Sequence, residues 1–226
     1  MTNAQYEVEI KTLLGSDEAA DAFRAKLQEH GKATLSQAAY TQLNHYFQGG
    51  DPQKLAEIVA PKLEDADAQQ LRTIAGGQNI SVRTRQMDGA AYIVMKSSIG
   101  SDSSQNGVMR AEIEALVPGL TLDELDAEVL SAGYTFQAKW SRTREEYSLG
   151  PVTVCLDKNA GYGYLAEFER VITDASAAEE TKNELLSLMG EMGLEELPQD
   201  RLERMFSHYN QHWSEYYGTD RMFTIE

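Results

Sequence analysis

The charged residues of this chain recur two positions apart. "YEVEIK" carries Glu7, Glu9 and Lys11, and "ISVRTRQ" carries Arg83 and Arg85. "RAEIEA" carries Arg110, Glu112 and Glu114, "SRTRE" carries Arg142 and Arg144, and "LAEFE" carries Glu167 and Glu169. Lys96 in "YIVMK" and Asp157 in "VTVCLD" stand among apolar residues in the same way. Clustered carboxylates suit a hard divalent cation such as Mg²⁺ or Mn²⁺. Arginine and lysine suit the oxygens of a polyphosphate, arginine with fork geometry. The two demands coincide in metal-dependent phosphoryl chemistry.

Strict alternation is the signature of a β-strand, whose successive side chains point to opposite faces. Val8 and Ile10 back the first charged row, Val82 and Thr84 the second, and Ala166 and Phe168 the last. A single strand of this kind reads as part of an antiparallel sheet with one solvated face. Solvated faces mix Thr, Ser, Lys and Gln, whereas here arginine pairs and glutamate pairs sit on different strands. The pattern predicts an α+β fold, an antiparallel sheet closed into a β-barrel with a charged interior. Helices over 17–30, 121–132 and 175–217 would cover its apolar exterior. Ser16 is placed to cap the first helix, and Asp88-Gly89 to turn a hairpin. Residues 51–77 read as an acidic helical excursion interrupted at Pro61, and "IGSDSSQNG" as a polar loop.

With 226 residues and 42% hydrophobic content, the chain can build one domain over 1–226. Twenty basic against 36 acidic residues give a net charge of -16. That balance disfavours general binding to nucleic acid or anionic membranes. Cys155 is the only cysteine, which excludes an internal disulfide and points to a reducing compartment. No signal-peptide pattern or membrane-length apolar run is visible, so a cytoplasmic location is expected.

Other candidate features carry less. His208 and His212 have metal-ligand spacing but no third ligand, and packing explains them better. Cys155 falls on the charged face by parity without a Cys–His arrangement to activate it. "GYGY" precedes a strand, whereas phosphate loops precede a helix. Tyr209, Trp213, Tyr216 and Tyr217 suit packing against the barrel, and no base-reading group stands out.

Taken in order, the charged rows resemble a known family. "EVEIK" is similar to the ExExK signature of the CYTH superfamily, the triphosphate tunnel metalloenzymes. The family includes class IV adenylyl cyclases, thiamine triphosphatases and inorganic triphosphatases. "QLNHYF" resembles its second strand, "GYGYLAEFE" its late glutamate-bearing strand, and "FSHYNQHW" its C-terminal helix, so the resemblance covers roughly residues 5 to 213. It implies that Glu7, Glu9, Glu167 and Glu169 hold Mg²⁺ or Mn²⁺. Lys11, Arg83, Arg85, Lys96, Arg110, Arg142 and Arg144 would grip phosphates. Lys11, Glu112, Glu114 and Asp157 would serve catalysis, the acids as further metal or water-positioning groups. Two places depart from the family pattern. Lys139 competes with Arg142 for the first basic slot of "KWSRTR", with parity favouring Arg142, and the 51–77 excursion is long. The implied activity is hydrolysis of tripolyphosphate or of a nucleoside or thiamine triphosphate inside a tunnel. The alternatives are a class IV adenylyl cyclase making cyclic AMP, and a tunnel that binds polyphosphate without turnover. The expected partner is a small triphosphate molecule, and a homodimer stays open.

Overall fold

The computed structural model describes residues 6–30, 33–98 and 110–225, with only the backbone described at Ser98 and Arg110. The polar loop "IGSDSSQNG", the Gly31 helix stop and the first residues of the expected fifth strand lie outside the described residues.

Among the described residues, eight strands make up one antiparallel sheet. They are β1 (Tyr6–Gly15), β2 (Ala33–Gly49), β3 (Ile80–Met87), β4 (Ala90–Ser98), β5 (Arg110–Leu116), β6 (Tyr134–Leu149), β7 (Val152–Asn159) and β8 (Gly163–Ile172). Their order across the sheet is β1-β8-β7-β6-β2-β3-β4-β5. Asp88 and Gly89, both with positive φ, make the tight β3–β4 turn. Gly163 is required where β8 begins, because a Cβ there would lie 2.1 Å from the Gly15 carbonyl oxygen.

Among the described residues, four α-helices lie between strands and two follow β8: α1 (Asp17–Glu29), α2 (Pro52–Val59), α3 (Asp65–Ala75), α4 (Leu122–Ser131), α5 (Ala178–Glu191) and α6 (Gln199–Tyr216). Ser16 caps α1, its hydroxyl accepting from the Ala19 N–H. Thr121 and Glu124 form a capping box at α4. The apolar rows of the strands meet these helices in two clusters. Val8, Ile10, Leu156 and Phe168 pack under α1 and α5 through Phe23, Leu27 and Leu185. Val82, Ile93, Met95 and Ile113 pack under α2, α3 and α4 through Leu55, Leu71 and Leu125. The acidic excursion is therefore a second cover for the β3–β4–β5 wall.

Two expectations need correction. The 175–217 region is not one outer helix: it breaks between Glu191 and Gln199. There the Leu197 N–H donates to the Lys11 carbonyl at 2.7 Å, and α6 crosses an end of the sheet's concave side instead of its outer face. The sheet, moreover, is not closed by hydrogen bonds, since no ladder joins β1 to β5 among the described residues. Those two edges bring carboxylate rows together, and like charges across a strand pair disfavour a ladder. Side chains bridge them instead: Lys96 Nζ on β4 lies 3.2 Å from Glu7 Oε2 on β1.

Candidate active site

The charged rows converge on one cavity of about 890 Å³ on the concave face of the sheet. Register explains how. In the β1–β8 ladder Glu9 stands opposite Glu169 and Lys11 opposite Glu167, so these four share a face. Arg144 stands opposite Asp157 where β6 meets β7, and Lys96 opposite Glu112 where β4 meets β5. Arg83, Arg85, Arg142, Glu114 and Glu7 complete the charged lining. Every site residue expected from sequence thus faces this cavity except Arg110, whose side chain is outside the described residues. Lys139 points away from it, toward Asp126 at 4.0 Å, so of the two it is Arg142 that faces the cavity.

A charged interior persists only if its charges are paired. Asp157, with 0% exposure, takes Arg142 Nη1 at 2.7 Å and Arg144 Nε and Nη2 at 2.7 and 2.6 Å. Arg144 also reaches Glu167 at 2.6 Å, and Lys11 reaches Glu9 at 2.8 Å. Lys96 pairs with Glu112 and Arg85 with Glu114, each at 2.5 Å. Neutral acceptors hold the remaining guanidinium edges: Arg85 Nε donates to Asn44 and Arg142 Nε to Gln42, both at 2.7 Å.

The titration of these groups reports two opposing fields. Burial pushes the Glu169 carboxyl up, and the Glu7 and Glu167 carboxylates push it further, to about 8. Burial would also raise Glu167, but Lys11, Arg144 and Arg142 outweigh it and hold that group far below 4.5. Tyr46 probes the opposite wall. Burial alone would raise its phenol, yet Arg83, Arg142, Arg85 and Lys96 draw it below 10.0. The cavity is therefore locally basic at β3 and β6 in a chain of net charge -16. Cys155 is inert as a nucleophile here, its thiol pushed far up by burial.

The carboxylate side fits a hard cation in its donor chemistry. Beyond the effect of burial, the Glu7 and Glu167 carboxylates push Glu169 up, a crowding of acids that a proton or a divalent cation relieves. No three such groups among the described residues are already gathered in coordinating geometry. Lysine and arginine pair with Glu9, Glu7 and Glu167 here.

A family model of the CYTH domain matches residues 71–201, more than half of the chain. The chain belongs to the CYTH domain family. The match begins inside α3 and stops in α6, so β1 with its ExExK row lies outside it, but the β1–β8 ladder ties that row to the matched part. This CYTH-domain protein is similar in structure to a candidate adenylate cyclase from Vibrio parahaemolyticus. That likeness has 17% identity, 90% of this chain and 99% of that chain covered, and a TM-score of 0.60. A Pyrococcus horikoshii protein is similar at 17% identity, 84% and 91% coverage and a TM-score of 0.59. One from Pyrococcus furiosus is similar at 19% identity, with the same coverage and a TM-score of 0.58. No curated protein matches the chain.

Several lining residues escape a search for charge. Tyr46 accepts from Arg83 Nη1 at 3.1 Å, and the Tyr40 hydroxyl donates to Glu146. Their signal is parity, since Tyr40, Gln42, Asn44 and Tyr46 alternate along β2 toward the cavity. His45, on the opposite face, belongs to a buried network with Asp126 at 2.7 Å and Tyr217 at 2.9 Å, and Thr84 donates to the same Asp126 at 2.6 Å. His208 and His212 stack on each other, and the Phe223 ring lies tilted against His208 at 4.5 Å. Among the described residues no helix is long and apolar enough to cross a membrane.

Proposed function

We propose that this CYTH-domain protein is a divalent-metal-dependent triphosphatase, and that the chain over 1–226 acts as a single tunnel domain, its curled sheet closed through side chains. The observation that carries the reading is one cavity with a carboxylate side on β1, β8 and β5 facing an arginine side on β3 and β6. A phosphate-capture protein needs the second side but not the first. Glu7, Glu9, Glu167 and Glu169 would hold Mg²⁺ or Mn²⁺, which when bound neutralises phosphate-oxygen charge.

The chain's own groups do the rest. Arg83, Arg85, Arg142, Arg144 and Lys96 bind phosphate oxygens by charge-assisted hydrogen bonds. Asp157 acts as a positioning residue, because its two oxygens already fix Arg142 and Arg144 in the cavity. When substrate draws Arg85 and Lys96, their partners Glu114 and Glu112 are released to orient the attacking water. Lys11, opposite Glu167, sits where it can meet a terminal phosphate beside the carboxylates.

Product analysis tests the reading. With Mg²⁺ or Mn²⁺, tripolyphosphate should give pyrophosphate and phosphate, and ATP or thiamine triphosphate should give the diphosphate and phosphate. Cyclic AMP and pyrophosphate as the dominant products would make it a cyclase, and binding without turnover a capture protein.

A further inference from the structure

The two edges of the sheet meet without the usual means of joining. Among the described residues no ladder pairs β1 with β5, and no buried apolar cluster spans them. The outward row of β1, Val8 and Ile10, belongs to the cluster under α1 and α5. That of β5, Ile113 and Ala115, belongs to the separate cluster under α2, α3 and α4. On the inner face, Glu7 and Glu9 of β1 and Glu112 and Glu114 of β5 line the cavity. Carboxylates set against each other push such edges apart.

Lys96 answers this repulsion. It stands on β4, opposite Glu112 in the β4–β5 ladder. Neighbouring strands lie about 4.8 Å apart, a width that a lysine stem can cross. The ammonium passes over β5 and lies between the two edges, 2.5 Å from Glu112 Oε2 and 3.2 Å from Glu7 Oε2. At 9% exposure, Lys96 is too buried for water to screen these contacts as it screens a surface pair. An ammonium is a compact charge with three donors, so it can serve carboxylates on both strands at once. Other cavity pairs keep to one side of the seam. Arg85 of β3 holds Glu114 of β5, and Arg144 of β6 holds Asp157 of β7 and Glu167 of β8.

The same position sets up a competition. Glu7 is one of the four carboxylates proposed above for the metal, and its Oε2 already accepts from an ammonium. A divalent cation takes carboxylate oxygens at shorter distance and with twice the charge, and two cations crowded on one carboxylate repel each other. We propose that Lys96 is a resident counter-cation at this seam: it clasps β1 to β5 while no metal is bound, and a divalent metal must displace it from Glu7 to bind. The assignment rests on the metal reading of Glu7, Glu9, Glu167 and Glu169.

The test uses the intact protein as wild type, Lys96→Gln, Lys96→Met and Arg85→Gln, with no phosphate present. Two neutral replacements of Lys96 keep the result from hinging on the folding of one variant. Mn²⁺ affinity is measured by calorimetry, and amide hydrogen exchange is measured in chelator. Both Lys96 variants should bind Mn²⁺ at least about 5-fold more tightly than wild type, the lower end of the coupling between linked binding events. Their β1 amides should exchange about 10-fold or more faster, as loss of a charge-assisted bond implies, with the β6–β7 ladder unchanged. Arg85→Gln removes the same charge from a pair on one side of the seam. It should leave β1 exchange unchanged and raise Mn²⁺ affinity less. Equal Mn²⁺ affinity in wild type and the Lys96 variants overturns the competition, and unchanged β1 exchange overturns the clasp. Effects of the same size in Arg85→Gln overturn both, because the general field of the cavity would then explain them. Mn²⁺ binding by none of the four proteins overturns the metal reading and the competition with it, and the exchange result then decides the clasp alone.

Discussion

The two ends of the cavity are built in opposite ways. In the charged half, the functional groups alternate along their strands, and cross-strand register sets such neighbours as Glu9 opposite Glu169 and Arg144 opposite Asp157. Under α6, the lining comes from an exposed end of β2, a bulge on its neighbour β6 and a helix face. The charged half is also rich in internal ion pairs, which a ligand must exchange. The proposed triphosphatase chemistry would use the charged half.

That contrast can be broken by substitution. The largest effect should come from the carboxylates. Glu9→Gln, or chelation of divalent metal, should lower turnover of every triphosphate on the order of 100-fold or more, as expected when several kcal/mol of charge stabilisation are lost. Full activity in chelator would remove the metal from the account. Arg85→Ala should follow, weakening tripolyphosphate and ATP alike by about 1.5–3 kcal/mol through one lost charge-assisted contact. Unchanged KM and kcat would take Arg85 out of the site.

A smaller effect separates the carboxylates by pH. Glu169, raised from 4.5 to about 8, contributes stability that is fully present below pH 4.5 and lost as pH rises through 8. Glu167, held low, contributes throughout that window and loses its share only in acid below 4.5. In chelator, the Tm of wild type should fall from pH 5 to pH 9 more than that of Glu169→Gln, and parallel curves would contradict the assigned repulsion. The smallest effect belongs to the scaffold. Thr121→Ala removes the α4 capping box, costing about 1 kcal/mol of stability with turnover unchanged. A large loss of activity there would mean that the outer helices and the cavity are not separable.

The same contrast explains what was legible in the sequence. Parity along the strands placed the charged rows together, and capping and turn residues marked α1, α4 and the Asp88-Gly89 hairpin. Closure was not legible, because hydrogen-bonding between β1 and β5 depends on how two like-charged edges settle. Gln137 was invisible because a one-residue bulge reverses parity without a glycine or proline to announce it. Phe206 and Asn210 read as an ordinary amphipathic helix until α6 is seen to cross the end of the sheet. The Asp126–His45–Tyr217 network joins α4, β2 and the end of α6, residues too far apart in sequence to suggest one another.

The central claim is that one cavity holds both a divalent metal and a triphosphate, on opposite sides. The most direct test is a crystal of the protein grown with Mn²⁺ and a non-hydrolysable tripolyphosphate analogue, read by anomalous scattering. The account predicts a manganese peak coordinated by at least two of Glu7, Glu9, Glu167 and Glu169, with phosphate oxygens bridging from it to Arg85 or Arg144. A peak elsewhere, or a phosphate chain bound outside the cavity, would contradict it.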